Sequence, residues 1–117
     1  MPAAATLLLL AGCTDNAAAP SSAAAGGRTL SVQASDTECV LSATSAPSGT
    51  LTFQVTNTGT QVNEFYLLAA DGLRIIAEVE NIGPGITRDL VLSAPAGDYF
   101  SACKPGMVGD GIRAPFT

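Results

Sequence analysis

The feature that most constrains the fold of this 117-residue chain is a two-residue alternation of apolar and polar side chains, which begins at Arg28. Leu30, Val32 and Ala34 alternate with polar neighbours, and the apolar residues of segment 50–57 do the same. Because successive side chains of a β-strand point to opposite faces, this spacing predicts strands that bury one face. Further strands of this kind are expected at 63–69, 73–79, 88–92, 98–103 and 113–117.

Turn-forming residues separate these strands at intervals of roughly ten residues. They include Pro84-Gly85 and the pair Asp71-Gly72, which is typical of a two-residue hairpin. No segment has a convincing helical period. About seven or eight short strands with this spacing predict an all-β fold, an antiparallel Greek-key β-sandwich. Several sandwich families share the pattern, so the strand spacing alone does not choose among them.

The composition excludes some classes of function. Charged residues make up 13% of the chain and aromatic residues 5%, and there is neither tryptophan nor histidine, so the core is expected to be mainly aliphatic. The net charge is −5 and the five basic residues are scattered, which is a poor footprint for nucleic acid. Without a histidine base or a glycine-rich phosphate loop, the chain is not expected to be an enzyme.

The first 27 residues differ in composition from the rest. Residues 6–10 form an apolar run that is too short to cross a bilayer, which takes about 20 residues, but suits the core of a signal peptide. Residues 10–13 (Leu-Ala-Gly-Cys) resemble the bacterial lipobox, although no basic residue precedes them. We therefore expect a lipoprotein signal peptide at 1–12, truncated or with a misassigned start. A lipidated Cys13 with a flexible linker (13–27) and one folded domain (28–117) would follow it.

This organisation implies an extracytoplasmic protein that is anchored to a membrane by lipid. The alternative interpretation of the N-terminus is a hydrophobic tail that contains a cysteine by chance. If Cys13 carries the lipid, Cys39 and Cys103 remain as a pair, and an oxidising compartment favours a disulfide between them. A bridge between residues 64 positions apart would stabilise the domain by about 4 kcal/mol, because it restricts the unfolded chain.

Several runs of residues resemble a known family. The segment 97–107, which ends in Cys103-Lys104-Pro105-Gly106-Met107, resembles the copper loop of a cupredoxin. Together with the runs at 55–59, 63–66, 78–85 and 103–111, it resembles the cupredoxin-like domain of the EfeO-type bacterial iron-uptake proteins, over residues 28–117. The resemblance implies a cupredoxin-like sandwich that works beside a membrane iron permease and a haem peroxidase. Many members of that family continue into a helical, imelysin-like domain.

The resemblance also assigns candidate metal ligands. A blue-copper site uses two imidazoles, a thiolate and a weak axial thioether, whereas this chain has no histidine. The family pattern places Glu64 at the first histidine position, Cys103 at the thiolate position, and Met107 at or beside the remaining ligands. A carboxylate at Glu64 would favour ferric iron over copper. Glu80 could join Glu64 if the loops converge, or it could lie on a solvated strand edge.

These residues lead to three hypotheses for function. The leading one is a lipid-anchored accessory of an EfeO-type iron-uptake system that binds an iron or copper ion or docks to its partners. The second is an interaction module stapled by a disulfide, with no metal. The third is a copper electron-transfer protein, which requires a free thiol at Cys103.

Overall fold

The computed structural model describes residues 28–117, which form eight β-strands and one short 3₁₀ turn. The strands are β1 (Arg28–Ala34), β2 (Cys39–Leu41), β3 (Gly49–Asn57), β4 (Asn63–Ala69), β5 (Ile75–Ile82), β6 (Thr87–Ala94), β7 (Tyr99–Cys103) and β8 (Ile112–Phe116). The 3₁₀ turn is Pro105–Met107. The predicted signal peptide, Cys13 and the linker lie outside the described residues. Within residues 28–117, no helix is long and apolar enough to cross a bilayer.

The strands form two four-stranded sheets, so the predicted β-sandwich is confirmed. The first sheet has the order β2-β1-β3-β6 and the second has the order β5-β4-β7-β8. One pairing differs from the antiparallel prediction, because β1 runs parallel to β3. After β1 the chain turns back as β2 along one edge of that strand, and β3 then returns along its other edge in the original direction.

The core lies between the sheets and is built by the alternation that the sequence predicts. Leu30, Val32 and Ala34 of β1 are buried, and so are the alternating apolar residues of β3. The ring of Phe53 packs against Phe65 of the second sheet at a centroid distance of 5.1 Å. Burying a side chain of this size stabilises a domain by about 1.5–3 kcal/mol, so this contact is a main link between the sheets.

The β4–β5 connection differs from the predicted two-residue hairpin. Strand β4 ends at Ala69 and β5 begins at Ile75, and the Ala69 amide donates to the Arg74 carbonyl at 2.8 Å. The Asp71 carboxylate shapes this longer loop by accepting bonds from the amides of Leu73 (2.8 Å) and Arg74 (3.0 Å). These backbone hydrogen bonds hold the pKa of Asp71 below its usual value. An aspartate that bonds amides two and three residues ahead stabilises its own turn.

A buried asparagine joins the β3–β4 loop to the end of β5 at one end of the sandwich. The Asn57 side-chain amide donates to the carbonyl oxygens of Gln61 (2.6 Å) and Ile82 (2.8 Å), and its oxygen accepts a bond from the Gly59 amide (2.9 Å). Asn57 is fully buried, so its side chain cannot bond to water instead. The side chain therefore fixes the end of β5 against the β3–β4 loop.

Replacing Asn57 with alanine is expected to lower the free energy of unfolding by about 2–4 kcal/mol. The buried Ile82 carbonyl is left without this partner at a cost of about 1–3 kcal/mol. The part-buried groups of Gln61 and Gly59 each lose one bond but can be reached by water, so they add less. Urea denaturation monitored by circular dichroism measures the change. The neighbouring Thr58→Ala variant alters an exposed side chain and is expected to change stability by less than about 0.5 kcal/mol. Equal effects of the two variants would contradict this role of Asn57.

Candidate functional site

The predicted cysteine pair lies at the end of the sandwich that Asn57 organises. Cys39 and Cys103 form a disulfide, with Cα atoms 5.6 Å apart, so the predicted bridge is confirmed. It joins β2, the edge strand of the first sheet, to β7, an inner strand of the second sheet. Cys103 is fully buried in the core and pairs with Phe65 across the strands. As half of a disulfide it has no thiolate to offer a metal.

Glu64 does not face Cys103. Residues directly opposite each other on neighbouring strands share a face of the sheet, so Cys103 lies on the same face as Phe65. Because side chains alternate along a strand, Glu64 lies on the other face with Tyr66. Only 6% of the Glu64 surface is exposed. The structure therefore separates Glu64 and Cys103, which the family resemblance placed in one site.

The residue at the start of β4 that does face the core is Asn63, which the sequence motifs did not single out. Asn63 is fully buried. Its side-chain amide donates to the Ser35 carbonyl at 3.3 Å, and its oxygen accepts a bond from the Glu64 amide at 2.9 Å. No apolar–polar alternation in the sequence marks Asn63, because every residue from Asn63 to Leu68 is buried. Its core-facing position follows from its two-residue spacing to Phe65 once the structure shows which face of β4 meets the core.

Glu64 belongs instead to a cluster on the outer face of the second sheet. We call this set, Glu64, Tyr66, Glu78, Glu80 and Lys104, the Tyr66 cluster. The Lys104 ammonium lies 4.4 Å from the centroid of the Tyr66 ring, within cation–π range. Burial raises the pKa of the Tyr66 phenol well above its usual value, and the Glu64 carboxylate and the charges of Glu78 and Glu80 raise it further. The phenol therefore stays protonated near neutral pH.

The structure thus brings Glu64 and Glu80 to the same outer face, but it does not assemble them into a metal centre. Across residues 28–117, no group of three or more cysteine, aspartate or glutamate side chains is arranged to hold a metal ion. The Lys104 ammonium also contributes a positive charge to this face. A metal role for Glu64 and Glu80 stays a prediction.

Met107 lies in the 3₁₀ turn after Cys103 and is 40% exposed. The amide of Gly106 donates to the Val62 carbonyl at 2.8 Å, which ties this turn to the β3–β4 loop. Gly106 has a φ of 71°, in the left-handed region where a side chain is strained, so the turn favours glycine. The exposed apolar residues Val62, Met107 and Val108, which we call the loop patch, are thereby brought to one end of the domain.

At the same end of the sandwich, Asp36 of the β1–β2 loop forms hydrogen bonds to the β3–β4 loop. Its carboxylate accepts bonds from the Thr60 hydroxyl (2.6 Å) and from the amides of Thr60 (2.9 Å) and Gln61 (3.2 Å). These bonds, the one from the Thr60 hydroxyl most of all, hold the pKa of Asp36 below its usual value. A Cβ at Gly59 would lie 2.8 Å from the Asp36 amide nitrogen, so glycine lets the two loops approach.

Comparisons with known proteins agree with this architecture. Residues 3–114 match the sequence profile of a family described as a cupredoxin-like domain. Among solved structures, the fold is similar to that of dithionite-reduced auracyanin from the photosynthetic bacterium Roseiflexus castenholzii, with a TM-score of 0.56. The two sequences are 20% identical, and the match covers 78% of this chain and 94% of auracyanin, so the likeness concerns the fold. No curated protein matches the sequence significantly.

Replacing Cys39 with serine is expected to lower the free energy of unfolding by about 2–5 kcal/mol, because the unfolded chain loses its covalent constraint. Chemical denaturation of both proteins measures the loss. As a control, a thiol-reactive mass label on unreduced, denatured wild-type protein should add nothing to Cys39 or Cys103. Labels on both residues would show that the bridge is absent in solution.

Replacing Asp36 with asparagine is expected to weaken the dependence of stability on pH in acid. The pKa of Asp36 is lowered in the folded state, so its stabilisation is complete above the ordinary value of 3.8 and is lost as the pH falls through the lowered value. Thermal unfolding from about pH 2 to 7 measures the slope. Asp71 keeps some acid dependence in the variant, because its pKa is lowered as well. The exposed Asp98→Asn variant is the control. If both variants lose the same amount of stability as the pH falls, the role of Asp36 is contradicted.

Proposed function

Because this chain belongs to the cupredoxin-like domain family, we propose that it is an extracytoplasmic docking accessory of an EfeO-type iron-uptake system and not a copper carrier. The observation that carries the proposal is the state of Cys103, which is bonded to Cys39 where the family resemblance expects a copper thiolate. The fold is thus present while its usual ligand set is not.

The residues of this chain do not fit a blue-copper centre. Such a centre needs two imidazoles and a thiolate, and the sequence contains no histidine. The core-facing residue at the start of β4 is Asn63, whose amide group is already bonded to Ser35 and to the Glu64 amide. Cys103 is committed to the disulfide. Of the two sulfur donors that the resemblance assigns, only Met107 lies outside the disulfide.

Iron binding receives limited support from the Tyr66 cluster. Carboxylate oxygens are suitable donors for hard cations, which take six or more oxygen ligands in well-formed protein sites. Glu64 and Glu80 supply two carboxylates on one face, and Lys104 opposes a cation there. We therefore treat iron at Glu64 and Glu80 as a weak, auxiliary interaction, and docking as the main role.

The proposed partners are the membrane iron permease and the haem peroxidase of the same system. Support comes from the family-like runs in the sequence and from the lipobox-like residues 10–13, which would hold the domain at the outer face of a membrane through Cys13. The loop patch is the surface we assign to docking, because Val108 is 72% exposed and lies beside Met107. Exposed apolar residues that lie together are typical of interaction sites.

The proposal predicts that introducing a charge into the loop patch weakens partner binding. Val108→Asp is expected to reduce crosslinking to the permease or peroxidase in membranes by at least about tenfold, since a buried, unpaired charge costs more than about 1.4 kcal/mol. The matched control is Val91→Asp, which changes another exposed valine, on β6. Crosslinking that survives Val108→Asp as well as it survives the control would overturn docking through this patch.

A metal titration separates a docking role from a metal-binding role. Ferric and cupric ions are added to the wild type and to Glu64→Ala, and binding is followed by calorimetry. We expect no affinity tighter than about micromolar, equivalent to about 8 kcal/mol, for either ion. Tight ferric binding that Glu64→Ala abolishes would instead support a metal-binding accessory.

Copper electron transfer is the second candidate, and the position of Cys103 at the end of β7 is the observation that favours it. It requires the disulfide to be reduced, so that Cys103 becomes a thiolate. Cupric ion is added to reduced protein and the visible absorption is recorded. An intense visible band would support this function, and a colourless mixture would exclude it.

A further inference from the structure

A groove lies beside the disulfide, between the edge strand β2 of the first sheet and the edge strand β8 of the second. The groove has a volume of about 240 Å³, and Cys39, Thr44, Ala114 and Pro115 are among its lining residues. Cys39 is partly exposed there, whereas Cys103 is fully buried and does not line the groove. The two residues of the disulfide therefore differ in their access to the groove.

We propose that this groove makes the Cys39–Cys103 disulfide a directional thiol-exchange site, at which an external thiolate attacks Cys39. Thiol–disulfide exchange requires the attacking thiolate to reach one of the sulfur atoms, so access decides which of the two is attacked. The attack forms a bond between the incoming sulfur and Cys39 and breaks the bond to Cys103. Cys103 leaves as a thiolate and takes up a proton from water. This inference does not depend on the proposed docking function.

The co-reactant is an external thiol, and a complete reduction consumes two of them. The second thiolate attacks the incoming sulfur of the mixed disulfide and releases Cys39 as a thiol. The external pair is thereby oxidised to a disulfide while Cys39 and Cys103 gain two electrons and two protons. The pair is supplied either by two molecules of a small thiol or by one protein dithiol.

The pairing of the two strands that carry the cysteines determines which of them becomes loose when the disulfide is reduced. Strand β2 has three residues and pairs only with β1, so the disulfide is its covalent link to the second sheet. Strand β7 is paired on both sides, with β4 and β8. Reduction is therefore expected to loosen β2 while Cys103 stays in place. The segment after β2 also contacts the end of β8, because the Ala46 amide donates to the Thr117 carbonyl at 3.0 Å.

The competing explanation is a permanent staple whose sulfurs are reached only when the whole domain unfolds. The two explanations differ in regiochemistry. Exchange through the groove modifies Cys39 first, whereas exchange in the unfolded chain modifies both cysteines without such a preference.

The test exposes the folded, full-length protein to glutathione, quenches the reaction with acid and locates the mixed disulfide by peptide mass mapping. We expect glutathione on Cys39 in at least about tenfold excess over Cys103. A parallel reaction with a Cys-x-x-Cys protein dithiol, trapped through removal of its resolving cysteine, identifies which source of thiol the groove admits. Equal modification of both cysteines, or reaction only at denaturant concentrations that unfold the domain, would overturn the proposal.

A variant that narrows the groove provides a second readout. Thr44→Trp adds bulk at an exposed lining residue and is expected to slow reduction of the folded protein by about fivefold or more. The rate of reduction of the denatured protein is expected to stay the same. Val91→Trp, on an exposed site of β6, is the matched control and should leave both rates unchanged. Equal rates for the two folded variants would show that the groove is not the route of attack.

Discussion

The covalent bond between Cys39 and Cys103 is the constraint on which this end of the structure depends. It attaches the shortest strand of one sheet to a strand that is paired on both sides in the other. The hydrogen bonds of Asn57 and Asp36 then fix the loops around it. A sandwich of about 90 residues buries a limited share of its surface, so a cross-link that constrains the unfolded chain accounts for a large fraction of its stability.

The same bond explains how a cupredoxin-like loop persists without imidazoles. In a blue-copper protein the metal holds residues from separate strands together. Here a disulfide makes the connection from β7, and the amide group of Asn63 bonds to the loop before β2. Both are structural links that leave no donor set for copper. The polar groups that remain available, Glu64 and Glu80, lie on the opposite face of the sheet.

The amino-acid sequence predicted the features that local periodicity determines and missed those that depend on strand pairing. Alternation located most strands, and the odd cysteine count identified the disulfide partners. Strand β2 was missed because three residues cannot show a period, and the parallel pairing of β1 with β3 leaves no local signal. The placement of Glu64 beside Cys103 came from a family resemblance. In the structure Phe65 and Cys103 share the core face of the second sheet, so Glu64, one residue away from Phe65, lies on the other face.

The contacts of the last strand have a consequence for when this domain can fold. Phe116 of β8 packs against Phe53 of β3 at a centroid distance of 5.6 Å, so the core includes both early and late parts of the sequence. Contacts of such long range form only after the intervening chain is available. At about 5–20 residues per second of synthesis, β1 is made several seconds before β8 exists. The core contact between β3 and β8 can therefore close only after residue 116 has been made, and until then the apolar face of β3 lacks this partner.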